Sequence, residues 1–239
     1  MLRSPVRTLF AALLAMVLFA AGAASAQNSA AAQHVLDRAR AASGGKAWNG
    51  LRGFHETGAD DGVRYERWLD PLRYGDRTET QTPAGKQVQG YNGWGEWRVL
   101  ANGVVTGSQD RAVLARVRSE AFFGAYAYLY PSRFDVRCVL VGVRQHQGNA
   151  YDVVKVEPVG GRGRELWFDR RTGLLGLMIE SGPKPLTVEL SDYRRVGPVT
   201  IPFRSVTSGG DLARPRQRQL DSIDFRPADR ALFSLPAKP

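Results

Sequence analysis

Arg164-Glu165-Leu166-Trp167-Phe168-Asp169, continuing through Arg170-Arg171-Thr172-Gly173 to Leu174-Leu175, reads as a strand, a tight turn and the opening of a second strand. Aromatic and aliphatic residues suit a pleated, half-buried surface. The Asp…Thr-Gly stretch brings a side-chain acceptor and a residue at ease with positive φ, which together reverse a chain. The same pattern extends in both directions. Downstream it predicts strands at 174–181, 186–194, 200–207 and 216–225; just upstream, at 151–158. Farther upstream, runs at 53–59, 63–70, 72–80, 86–91, 94–100 and 104–107 are punctuated by Asp60-Asp61-Gly62, Asn92-Gly93 and Asn102-Gly103, as in an antiparallel meander. The stretch 134–145 is apolar on both faces in its middle, which predicts a central strand covered on each side, with Cys138 in the core.

Two segments change period. Ala32, Val35, Leu36 and Ala39 recur at helical spacing behind a cap at Asn28 or Ser29, and Gly44-Gly45 ends the run. A second helix is predicted from a Ser108 cap, with Val113, Leu114, Val117 and Ala121 as its apolar stripe. It leads into Phe122, Phe123, Tyr126, Tyr128 and Tyr130, closed by Pro131. A dozen or so antiparallel strands are too many for a flat open sheet. The predicted fold is therefore mainly β (α+β): a strongly curved antiparallel sheet forming an unclosed β-barrel, with two helices across its concave side.

The amino terminus adds an address. Arg3 and Arg7 precede an unbroken apolar run from Leu9 to Ala21, and Ala24-Ser25-Ala26 is a small-residue cleavage signature. Residues 1–26 are expected to be a removed secretory signal, and 27–239 a single domain in the periplasm with no transmembrane segment. Of 239 residues, 33 are Lys or Arg and 23 Asp or Glu, for a formal charge of +10; losing Arg3 and Arg7 lowers this by two, to +8. Export argues against a nucleic-acid partner, so the residual charge faces an anionic envelope or serves solubility.

Chemistry-bearing motifs are sparse. One cysteine forbids an internal disulfide framework. His34, His55 and His146 are scattered with no predicted convergence, and nucleophile elbows, zincin helices, P-loops and EF-hand loops are absent. No enzyme, catalytic residue, metal or cofactor is expected. Aromatic and apolar residues are the informative group. Tyr65, Trp68, Tyr91, Trp97, Val117, Phe122, Phe123, Tyr126, Trp167 and Phe168 are candidates to line the interior of an incompletely closed sheet, where apolar ligands bind. Arg214, Arg216 and Arg218 alternate, with Arg204 nearby in sequence. They fit an edge strand kept soluble by charge, or a patch for anionic head groups.

The stretch quoted first, Asp192-Tyr193-Arg194 followed by Gly197 and Ile201-Pro202, Gly44-Gly45-Lys46 before Leu51, and Gly90-Tyr91-Asn92-Gly93 before Trp97 together resemble the periplasmic outer-membrane lipoprotein-sorting, or LolA-like lipoprotein carrier, superfamily. The likeness runs from about Ala32 to Leu235 and rests on the order and spacing of turns and strand ends. It implies an unclosed antiparallel barrel with a helical lid and a hydrophobic cavity for acyl chains. The carriers hold the lid with a specific Arg, which no motif places in this sequence. The resemblance therefore implies a monomeric periplasmic carrier or binding protein for lipid or lipoprotein acyl chains, with envelope membrane proteins as further partners. An envelope interaction or sensory module of the same fold, binding a protein partner, is the alternative reading.

Overall fold

A computed structural model describes residues 30–235. The signal sequence and the Asn28 or Ser29 cap lie outside them. The first helix, α1 (30–43), buries Ala32, Val35, Leu36 and Ala39, the stripe its spacing predicts. Strands β1 (Phe54–Asp60), β2 (Val63–Asp70), β3 (Gly75–Thr82), β4 (Gly85–Asn92), β5 (Glu96–Val99) and β6 (Val105–Ser108) come next, before α2 (Arg111–Gly124). After α2 come β7 (Val136–His146), β8 (Asn149–Pro158), β9 (Arg164–Asp169), β10 (Leu175–Glu180), β11 (Leu186–Val196), β12 (Val199–Gly209) and β13 (Arg216–Asp224).

All thirteen form one antiparallel sheet in the order β6-β5-β4-β3-β2-β1-β13-β12-β11-β10-β9-β8-β7. Two meanders are thus joined through the β1–β13 pair, and β6 and β7 do not meet. The barrel is unclosed, as expected.

Local chemistry explains the boundaries. Asp61 and Gly62 take φ of 53° and 82°, the left-handed pair that a two-residue hairpin needs to match strand twist. Asn92 Oδ1 accepts from the Trp94 and Gly95 amides, and Asn102 Oδ1 accepts from Val104. β3 starts at Gly75 and not Leu72, because Asp70 accepts from the Leu72 amide in a turn that carries Tyr74 to φ 60°. The cap of α2 is Asp110, whose carboxylate accepts from Ala112 and Val113; Ser108 ends β6 instead and accepts from the Asp110 amide. A carboxylate at a helix N-terminus also meets the helix dipole favourably, which a hydroxyl does not.

Two strands sit where composition did not predict. β7, expected at the centre, is a sheet edge paired only to β8. β13, expected at an edge, lies in the middle between β1 and β12. Cys138 packs half-buried on the inner face of β7, and burial pushes its thiol up to about 11.

The core fills one end of the barrel. Trp48 lies 5.3 Å from Tyr126 by ring centroid, Phe54 6.0 Å from Tyr126, and Tyr128 6.2 Å from Phe168. Phe122 is walled by Tyr74 and Phe134. Complete burial of an aromatic such as Phe54 contributes about 1.5–3 kcal/mol. This plug, built from the C-terminal turn of α2 and residues 125–130, leaves the other end of the barrel empty.

Candidate functional site

The empty end is a cavity of about 1190 Å³ between α2, the plug and the concave sheet. Its floor is Phe123, Gly124, Tyr126 and Tyr128. Burial holds the Tyr126 and Tyr128 hydroxyls well above their ordinary range. A second void, about 20 Å³, lies behind the plug, between Trp48, Phe168 and Leu175. It has room for little more than a water.

The cavity walls differ. On the β10–β12 side Met178, Leu186, Val188, Leu190 and Phe203 present an apolar surface. Across from it, β3 turns Asp76, Thr78, Thr80 and Thr82 inward, and β4 adds Gln87 and Gln89. Period two sets this arrangement: the inward positions of β3 are all polar, where a strand on a dry core would be apolar.

Arginines line the cavity, and carboxylates meet nearly all of them. Arg214 pairs with Asp61 and Arg216 with Asp60, each at 2.9 Å; Arg218 reaches Glu56 at 3.3 Å and lies over the Tyr65 ring at 4.0 Å. Arg98 pairs with Glu96, Arg116 with Glu120 and Arg164 with Glu180. Arg204 has no carboxylate partner among the described residues and donates to Gln217 Oε1 at 2.9 Å. Arg216 and Arg218 of β13, with Arg214 just before it, thus form a ladder against Glu56 and Asp60 of β1 and Asp61 just beyond it, the chemistry that lets β13 occupy the middle of the sheet.

Arg67 of β2 joins sheet to lid. It donates to both Asp76 oxygens at 3.0 and 2.6 Å, and more loosely to the Glu120 carbonyl of α2 at 3.4 Å. Burial alone would discharge it. The bidentate pair with Asp76 outweighs that and holds the guanidinium above its ordinary value. A Cβ on Gly124 would stand 2.6 Å from Arg67 Nη2, so a larger residue there would displace the guanidinium from its present place.

Of the sequence-predicted interior residues, Tyr65, Phe123 and Tyr126 line the cavity, and Phe168 lines the small void. Phe122 is sealed in the core, while Val117 and Tyr91 pack together beneath α2. Trp68, Trp97 and Trp167 face the other way. Trp68 stacks on His55 on the far face of β2, Trp97 donates to the Phe233 carbonyl, and Trp167 packs on Tyr151. Each alternates along its strand with an inward residue: Trp68 beside Arg67, Trp97 beside Arg98, Trp167 beside Phe168. Arg204, Arg214, Arg216 and Arg218 all reach the cavity. Arg67, Asp76, Glu56 and the Thr–Gln wall were missed, although the unbroken polar run of 76–82, with no apolar face, was a readable signal.

His34 is exposed; His55 sits between Glu66 and Asp224 at 2.7 and 3.2 Å; His146 is 3.9 Å from Glu189. No two of these meet.

No family model matches the sequence, and neither does any curated protein. Solved structures do match. A protein described as an outer membrane lipoprotein-sorting protein domain from Vibrio parahaemolyticus aligns with a TM-score of 0.56 at 12% identity, over 83% of this chain and 94% of its own. A LolA superfamily protein from Nitrosomonas europaea aligns at 0.56 and 13% identity, over 85% and 97%. A DUF1329 family protein from Desulfovibrio piger aligns at 0.55 and 12% identity, over 85% and 97%. The fold is LolA-like, in agreement with the turns and strand ends that carried the resemblance. Fold alone does not assign the function.

Proposed function

We propose that the protein is a periplasmic carrier or binding protein for lipid or lipoprotein acyl chains, held in the cavity between the apolar β10–β12 wall and the aromatic plug. The single observation that carries this reading is a 1190 Å³ cavity floored by Phe123, Tyr126 and Tyr128 inside a LolA-like barrel. An acyl chain entering it gains roughly 0.8 kcal/mol per buried methylene. The signal-like residues 1–26 supply the route to the periplasm. Among the described residues no helix is long and apolar enough to cross a membrane, and no group of three or more His, Cys, Asp or Glu is placed to hold a metal.

Lipid extraction and mass spectrometry of the protein purified from the periplasm test this directly, with titration of a fluorescent fatty acid as the second measurement. Co-purifying acyl species and saturable uptake are expected, and Leu190→Glu should weaken uptake by at least about tenfold. A protein that carries no lipid and takes up no fatty acid sinks the proposal.

The alternative, a partner-binding envelope module, draws on Leu100, Val104 and Val105, exposed at the β5–β6 hairpin beside a free strand edge. Crosslinking in envelope extracts with a photoreactive residue at position 105 distinguishes it, because a carrier with no docked partner gives no discrete adduct.

A further inference from the structure

We infer that the cargo is an amphiphile with a neutral, hydroxyl-rich head, such as a glycolipid, whose polar part lies along the β3–β4 wall. This rests on the carrier reading above and narrows it. A bare acyl chain is served by the apolar β10–β12 wall and the aromatic floor, and has no use for the polar β3–β4 wall. Thr78 stands opposite Gln89 in the ladder and Thr80 opposite Gln87, which puts two hydroxyls and two amides on one stretch of inner face, with Arg98 of β5 next to Gln89. Among the described residues, only Thr82 of this wall donates a side-chain hydrogen bond back to the protein, to the Gly85 carbonyl at 2.7 Å. Covering the others with hydrocarbon would strip them of water and return nothing. Sugar hydroxyls, which both donate and accept, match Thr and Gln side chains that do the same.

Charge decides against the other common head groups. A phosphate or carboxylate needs an uncommitted cation, yet seven of the lining arginines already hold carboxylates. Arg204 is the exception: it keeps its charge, hydrogen-bonds the neutral Gln217, and stands on β12, on the side of the cavity away from the β3–β4 wall. The carboxylates that face the cavity are paired in turn, so an ammonium head group finds no free anion either. Arg204 aside, what remains open for hydrogen bonding along the β3–β4 wall is neutral.

Calorimetric titration of the purified protein with decyl maltoside, decanoate and decyl phosphate, each below its micelle concentration, tests the assignment. Decyl maltoside is expected to bind about tenfold more tightly than the two anions. Thr80→Val combined with Gln87→Leu should lower maltoside affinity about tenfold and leave decanoate within about twofold. Thr80 is partly exposed and Gln87 exposed, and an unchanged melting temperature checks the fold. Decanoate or decyl phosphate binding as tightly as the maltoside overturns the inference and leaves the acyl-carrier reading standing. A variant that weakens all three alike also overturns it. Failure of all three to bind overturns both.

Discussion

β7 and β13 carry opposite chemistry in one sheet. β7 has Val136, Cys138, Val139, Leu140, Val141 and Val143, yet it pairs on one side only and leaves Val143 47% exposed. β13 has Arg216 and Arg218 facing inward and is hydrogen-bonded on both sides, with Leu220 and Ile223 buried. Two things separate them. Glu56 and Asp60 on β1, with Asp61 just beyond it, stand where β13 and its approach turn arginines inward, so the charges enter as pairs. β13 also closes the join between the N- and C-terminal meanders, a place no other strand takes. A strand's position in a sheet follows from what its neighbours offer, and its own hydrophobicity is a weak guide.

Breaking the apolar half of β13 should have the largest effect. Ile223→Ala is expected to cost about 2–4 kcal/mol in urea unfolding, against about 1 kcal/mol for Val139→Ala on the outer face of β7. Equal costs would mean that central and edge positions are energetically alike.

Next come the arginines, whose cost should fall toward the turn. Arg218→Met leaves the Glu56 carboxylate unpaired at 8% side-chain exposure and should cost about 2 kcal/mol, while Arg216→Met, opposite the more exposed Asp60, should cost under about 1 kcal/mol. A reversed order would break the account of β13 as a strand admitted by charge pairing.

A smaller effect appears in acid. Asp224 ends β13 with its carboxyl held down to about 2, chiefly by the hydrogen bonds from Arg226, with help from His55. A carboxyl depressed in the folded state stabilises above its unfolded pKa of 3.8, and that contribution fades as pH falls from 3.8 through about 2. NMR titration should place Asp224 near 2, and Arg226→Ala should return it toward 3.8. An unmoved midpoint in the variant removes the cause assigned here.

The smallest effect belongs to the free edge. Val143→Lys on β7 should change stability by no more than about 0.5 kcal/mol while lowering the rate of heat-induced aggregation, because a charge on an open edge discourages strand addition. Faster aggregation would show that β7 is covered in solution.

The carboxylates across from β13 also show why legibility stopped where it did. Arg214, Arg216 and Arg218 announce one strand face by their spacing. Their partners lie more than 150 residues earlier, and nothing local to either strand points to the other. Trp68, Trp97 and Trp167 went to the outer face for a related reason. Period two says that neighbours face apart, and only the curvature of the assembled sheet says which face is inside.

By itself, the sequence determined everything that depends on a few consecutive residues: the hairpins at Asp61-Gly62, Asn92 and Asn102, the α1 stripe, nearly every strand, and from their number a curved, unclosed sheet. Tertiary structure decided the strand order, the inward face, the Arg67 bridge between sheet and lid, and the cavity with one apolar and one hydroxyl-lined wall. Turns and periodicity are short-range and written into neighbouring residues. A cavity is the space left when distant strands curve past one another, and only the closed contacts of the whole chain define it.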